Sequence, residues 1–263
     1  MIIIKTKEQI EILREGGRRL SEVLHKVKAQ VRPGISTYEL DKYAEKLIRE
    51  YGDEPAFLNY KPAGAKVAFP ASLCVSVNEE VVHGIPKKDK ILKEGDIISI
   101  DCGVKHKGLF TDMAMTVAVG EIDESSKKLL EVTERALLVG IDVARVGNRI
   151  GDIGYVIQSY VQSQKTKYGI VEVLSGHGVG VAIHEDPYIP NFGKANTGEK
   201  IKAGMVIAIE PMLNIGTKNV TLDKDGYTFH TADHKPSAHF EHTILITDGE
   251  PEVLTLSLAS ERG

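Results

Sequence analysis

Little in this sequence speaks for secretion, for a membrane or for nucleic acid. Its 263 residues include only two cysteines, Cys74 and Cys102, which cannot build a disulfide framework and point to a reducing compartment. Long apolar runs are missing as well. The opening MIIIKTKEQ holds three consecutive isoleucines before a lysine, which makes neither a signal peptide nor a membrane span. Positive charge is not in excess: Lys and Arg number 33 against 37 Asp and Glu, and the formal net charge is −4. A nucleic-acid surface rests on clustered cations, so no specific nucleic-acid partner is expected. No linker or low-complexity stretch divides the chain, and no Gly-rich phosphate cradle ending in lysine is present. The composition, 42% apolar and 27% charged, fits a cytoplasmic protein of enzyme size with a large core.

What the chain does contain is an internal repeat. Residues 93–112, KEGDIISIDCGVKHKGLFTD, return in altered form: Lys93, Gly95, Ile98, Ile100 and Asp101 correspond to Lys202, Gly204, Ile207, Ile209 and Glu210. In each copy an apolar, β-branched run of strand length ends in one carboxylate. After each acid a second strand is expected to open with another: Phe110-Thr111-Asp112 leads into MAMTVAV, and Phe240-Glu241 into HTILIT. One acid at a strand end is an ordinary solvated turn residue. Four at matched places suggest convergence on a single centre, where like charges at close range demand either protons or a cation. With His177, the acids Asp101, Asp112, Glu210 and Glu241 form a five-ligand set dominated by oxygen, suited to two divalent ions sharing bridging carboxylates.

The surrounding pattern repeats too. Thr6 with Gln9 reads as a capping box opening a helix whose stripe is Ile10, Leu13, Leu20, Val23 and Val27. Ser36 with Glu39 opens a second helix, and Gly52 can cap its end. Residues 53–70 read as a loop lining something, with Phe57, Tyr60 and Phe69 in it. A strand is expected over 72–78, a turn holding His83 over 81–86, and the first carboxylate hairpin turns near Lys105 to Gly108 with His106 solvated. The second half follows the same order: helices from about Ser125 to Val143 and from about Asp152 to Gln164, then SGHGVG, answering VVHGIP as a His-Gly turn, then the second acid pair. Asp101 to Asp112 spans 11 residues and Glu210 to Glu241 spans 31; the extra length reads as a hairpin turning at Lys224-Asp225-Gly226, with Tyr227 just beyond. One continuous domain, 1–263, with pseudo-twofold halves of about 1–120 and 121–263, is expected.

Most of the nine histidines read as ordinary. His25 falls on the polar side of the first helix, and His230 and His234 fall in a polar loop. His177 differs because Gly176, Gly178 and Gly180 surround it and allow close approach. His83 and His184 are either turn residues or unligated helpers that hold substrate and donate to developing charge. His239 shares a face with Glu241 if the strand is regular, so it either reaches the metal site or lines the pocket.

The segments NEEVVHGIP, DIISIDCGVKHKGLFTDMAMTVAVG, SGHGVGVAIHEDP, GMVIAIEPML and HFEHTILIT together resemble the type I methionine aminopeptidases of peptidase family M24, over nearly the whole chain. The resemblance implies an α+β pita-bread fold: a curved antiparallel sheet with pseudo-twofold symmetry, backed by two helix pairs. It places the family's metal ligands on Asp101, Asp112, His177, Glu210 and Glu241, with Asp112 and Glu241 bridging two ions (Co, Mn, Fe or Zn). Glu210 is then the proton acceptor, His184 steadies the oxyanion and His83 contacts the scissile amide. The methionine pocket falls on Phe69, Cys74, Ile183 and Tyr227, with His83 at its edge. Ile183, Tyr227 and Lys66 depart from the commoner bacterial pattern, which is aromatic at these places. The similarity is to the bacterial type, with neither the zinc-finger extension of eukaryotic type I enzymes nor the type II helical insertion. It further implies a monomer in the cytoplasm, acting near the ribosome on nascent polypeptide N-termini whose second residue is small, and a possible monovalent cation near Asn78. X-Pro aminopeptidases and dipeptidases share the fold and are the nearest rival, usually with an added N-terminal domain; a non-catalytic binding module of the fold is the other.

Overall fold

The computed structural model describes residues 1–62 and 64–256. Helix α1 (Lys7–Lys28) starts where its capping box requires: Thr6 Oγ1 accepts from the Gln9 N–H at 3.3 Å, and the Gln9 side chain accepts from the Thr6 N–H at 2.9 Å. Helix α2 (Thr37–Glu50) repeats the device with Ser36 and Glu39, and Gly52 beyond it takes φ 74°, the left-handed conformation that ends helices. Two-residue β1 (Glu54–Pro55), β2 (Leu73–Val77) and β3 (Glu80–Val82) lead into the long hairpin of β4 (Ile97–His106) and β5 (Leu109–Ala118). The second half repeats the sequence of parts. Helices α3 (Glu124–Asp142) and α4 (Ile150–Gln162) precede β6 (Gly169–Ile170), β7 (Gly176–Gly178), β8 (Glu185–Ile189), β9 (Val206–Ile209) and β10 (Met212–Asn214). The insertion carries β11 (Val220–Leu222) and β12 (Phe229–Thr231), and β13 (Ser237–His239), β14 (Glu241–Leu245) and β15 (Glu252–Val253) close the described chain.

The main sheet is antiparallel, ordered β1-β4-β5-β14-β9-β7-β8, with β2 also on β4 and β15 on β14. Its symmetry is plain in the middle. The hairpin β4-β5 of the first half meets the pair β14-β9 of the second, and the seam is β5 against β14. Alternate residues point to opposite faces. Ile98, Ile100, Cys102 and Val104, with Met113, Met115, Val117 and Ile244, enter one buried cluster with the apolar stripes of the helices. Helix α1 crosses β4 and β5 and packs on α2, while α3 lies over β13, β10, β14 and β9 and packs on α4. The four described helices therefore cover one face, and the other face is left to build a site. Two three-stranded sheets, β13-β10-β6 and β11-β12-β3, lie off the main sheet. Among the described residues no helix is long and apolar enough to cross a membrane.

Four expectations need correction. Asp101 and Asp112 do not end or begin strands: they sit inside β4 and β5, because the hairpin keeps pairing through Gly103↔Asp112 as far as His106↔Leu109. In the second half the expectation holds, since Pro211 follows Glu210 and has no N–H to extend the ladder beyond Ile209. His106 is not solvated. The turn is the pair Lys107 (φ 46°) and Gly108 (φ 84°), so His106 stays in the ladder and turns its ring towards α1, where Gly16 leaves room and Asp53 Oδ1 lies 2.7 Å from Nδ1. The two His-Gly segments are not equivalents: His177 lies on β7 of the main sheet, whereas His83 follows β3 in a small one. His230 belongs to strand β12, paired with Thr221.

Candidate active site

Five neighbouring strands of the main sheet each deliver one of the five expected ligands to the open face. In sheet order these are Asp101 on β4, Asp112 on β5, Glu241 opening β14, Glu210 just past β9 and His177 on β7. Register explains the convergence. Ala114 pairs with both Asp101 and Glu241, so a small residue separates two acids that face the same way. Ala208 stands likewise beside His177. Ligand atoms of Asp112, His177 and Glu241 lie within 4.8 Å of one another. His177 Nε2 is 3.5 Å from Glu210 Oε1.

All five line one cavity of about 160 Å³, together with His83, His184 and His239. Among the described residues no lysine or arginine lines it. Burial pushes the carboxyls of Asp101, Asp112, Glu210 and Glu241 up, and mutual repulsion raises Asp112 and Glu241 further. Asp101 is raised to about 7. Burial drives the histidines the other way, His83 to about 4 and His177 to about 3, so both rings are neutral at ordinary pH. His177 Nδ1 lies 2.9 Å from the Gly178 carbonyl, which fixes its proton on Nδ1 and leaves the Nε2 lone pair facing the acids. Asp101 Oδ1, Glu241 Oε1 and both ring nitrogens of His239 are buried without a hydrogen-bond partner. These unpartnered polar atoms and four buried carboxylates with no lysine or arginine among the described lining residues fit divalent metal ions, and the oxygen-rich set is of the kind that holds a pair of them.

Beyond the acids the cavity turns apolar. Phe69, Cys74, Tyr227 and Phe57 cluster with Ala56, Ala71 and Ile183, and the Phe69 and Tyr227 rings meet edge-on at 5.2 Å. The Tyr227 hydroxyl donates to the Val67 carbonyl at 2.6 Å, tying the inserted hairpin to the 57–69 loop. Ile183 is buried in this cluster but stands behind the wall, against Phe57 and Gly103, and Lys66 is exposed outside it. His83 holds φ 59°, a left-handed conformation rare for a residue with a side chain, and Thr228 and Phe229 of the insertion pack on it. His184 packs edge-on to His177 at 4.4 Å between ring centroids, and its Nδ1 lies 2.9 Å from the Tyr60 hydroxyl. Tyr60, Pro62 and Val82 also line the site. Tyr60 falls in the loop read from the sequence as a lining; the contact with His184 had no local signal, because 124 residues separate the two.

Residues 11–248 match the model of metallopeptidase family M24. Methionine aminopeptidase 1 of Bacillus subtilis is 47% identical over 255 residues, 97% of this chain and 99% of the relative. The crystal structure of methionine aminopeptidase from Rickettsia prowazekii superposes with a TM-score of 0.92 at 40% identity, over 97% of this chain and all of that one. The chain belongs to the methionine aminopeptidases of metallopeptidase family M24. A prolidase from Pyrococcus furiosus shares the pita-bread fold more distantly, with a TM-score of 0.77 at 25% identity, and this chain spans 66% of its length. Against that background the cavity of this M24 peptidase has two ends of different chemistry. The sheet supplies the acids, while the loop 57–69 and the insertion supply the apolar wall.

Proposed function

We propose that this protein removes an N-terminal methionine from polypeptides whose second residue is small, by hydrolysis at a dinuclear metal centre. The observation that carries the reading is one cavity with a buried four-carboxylate, one-histidine end and an apolar end formed by Phe69, Cys74 and Tyr227. An unbranched thioether suits the apolar end. A side chain seated there leaves its own carbonyl beside the acids, and the rest of the peptide leaves through the outer groove that shares Tyr60, His83 and His184. A second reading, an X-Pro peptidase, is favoured less, because the match to methionine aminopeptidases is closer and spans their full length.

Asp101, Asp112, His177, Glu210 and Glu241 would hold the ions. When bound, the ions supply positive charge that makes a water easier to deprotonate and a carbonyl easier to attack. Glu210 accepts the proton of the attacking water on a carboxylate oxygen and passes it to the leaving amine; burial already raises its affinity for a proton. His184 donates from Nε2 to the developing oxyanion, with Tyr60 at Nδ1 holding the ring. His83 contacts the scissile amide from the pocket edge. Ile183 supports the pocket from behind. Either Co(II), Mn(II), Fe(II) or Zn(II) suits the donor set, and we read residues 1–263 as one catalytic domain working as a cytoplasmic monomer on nascent chains near the ribosome, with a monovalent cation near Asn78.

The test uses a Met-Ala-Ser peptide. Metal-stripped protein is expected to be inactive and to recover with Co(II), Mn(II) or Fe(II), while Glu210→Gln does not recover. Turnover persisting in strong chelator contradicts the reading.

A further inference from the structure

Among the described residues Lys5 is the one lysine whose side chain is almost wholly buried, at 1% exposure, and it sits outside the cavity. Its ammonium meets Glu185 Oε2 at 2.5 Å, and Glu185 is itself 5% exposed in its side chain. Burial lowers the Lys5 pKa and the Glu185 carboxylate counters that, so the ion pair compensates a charge that would otherwise be stranded. The other oxygen of Glu185 accepts from the backbone N–H groups of Val181 and Ala182, the latter at 2.9 Å. One carboxylate thus closes the turn 181–185, which carries His184. The Lys5 stem is built in on every side. Gly180, at φ 139°, has no room for a Cβ against Lys5 Cε, its carbonyl accepts from the Phe110 N–H at 2.7 Å, and the Lys5 N–H donates to the Gly204 carbonyl at 2.8 Å. Ile3 and Met1 of the same segment line the outer groove together with His83, His177, His184 and Glu210.

We propose that Lys5 is a positioning residue for His184, acting through Glu185. This rests on the functional reading above, in which His184 meets the developing negative charge. The ammonium draws the Glu185 carboxylate inward, the carboxylate gathers the 181–182 amides, and the turn then presents the next-door imidazole to the groove at the height that Tyr60 and His177 define. Among the described residues, Lys5 is the one cation that forms a salt bridge with Glu185. Without the ammonium the carboxylate seeks water, and the turn opens with it.

A double-mutant cycle on the Met-Ala-Ser peptide, with manganese added, separates this role from mere stability. Lys5→Met is expected to lower kcat tenfold or more in the otherwise unchanged protein, and by less than about twofold when His184 is already alanine. Lys5→Arg is expected to recover at least half of the loss. Manganese titrated by calorimetry binds Lys5→Met with unchanged stoichiometry, because the ligands lie elsewhere. The cycle is repeated with Lys5→Met/Glu185→Ala, which strands no buried charge and removes the acceptor for the two amides, so the same His184-dependent loss is expected there even if Lys5→Met alone fails to fold. Equal losses in both His184 backgrounds, or no loss in any folded variant, overturn the proposal while leaving the peptidase reading intact. An unmodified protein that is inactive on the peptide overturns both.

Discussion

The Tyr60 hydroxyl lies 2.9 Å from His184 Nδ1, and this contact decides which nitrogen of the ring faces the groove. Tyr60→Phe is expected to lower kcat about 3- to 10-fold, the equivalent of roughly 0.5–1.5 kcal/mol for one hydrogen bond, with KM little changed. Steady-state kinetics on Met-Ala-Ser checks this; an unchanged kcat assigns the orientation to ring packing on Tyr60 alone, at 5.3 Å between centroids. At this scale the sequence was most legible where residue type and repetition coincide. Asp101, Asp112, Glu210 and Glu241 sit at matched places in a duplicated pattern, and all four meet. Ala114 and Ala208 were not legible, because their importance comes from cross-strand register and an alanine has no chemistry to announce it. His239 was left open between two roles, and it lies 3.5 Å from Glu210 and 3.9 Å from Glu241.

Elements were legible where their ends have local chemistry. Thr6/Gln9 and Ser36/Glu39 mark helix starts because a capping box satisfies backbone donors within four residues. Strand ends depend on partners. The sequence motif around Asp101 looks like an ending, yet β5 continues opposite it and the strand runs five residues further, to His106. His106 was misread for the same reason: only the position of α1 and Asp53 shows that its side chain turns inward. Ser36→Ala removes two hydrogen bonds at the start of α2, the Glu39 N–H donating to Ser36 Oγ at 3.2 Å and the Ser36 hydroxyl donating to Glu39 Oε2 at 2.6 Å, and is expected to cost about 1 kcal/mol in urea unfolding. The kcat of the folded fraction stays unchanged, since α2 covers the far face of the sheet from the acids. A parallel fall in kcat shows instead that the helix sets the position of β2 and Cys74.

For the molecule as a whole, the buried site sets how stability follows pH once metal is stripped away. The site histidines have folded values below the ordinary 6.5, so they cost stability as pH falls beneath 6.5, when the unfolded chain takes protons that the folded one refuses. The carboxyls have folded values above their ordinary ones, so they cost stability as pH rises, when the unfolded chain releases protons that the folded one keeps. Between about pH 4 and 6.5 the two oppose each other. Above 6.5 the histidines are neutral in both states and only the carboxyls count. The melting temperature of stripped protein is therefore expected to fall as pH rises past 6.5 through about 7, the range of Asp101, and added manganese is expected to abolish the fall. A flat profile without metal shows that the acids do not share a dry site.

The seam between β5 and β14 also has a consequence for birth of the molecule. Asp101 and Asp112 come from one side of that join, and His177, Glu210 and Glu241 from the other, so neither half owns the chemistry. During synthesis the first two acids emerge early and wait, side by side and incomplete, while more than a hundred further residues are made. An enzyme of this design cannot act on the chains around it until Glu241 has left the ribosome and docked.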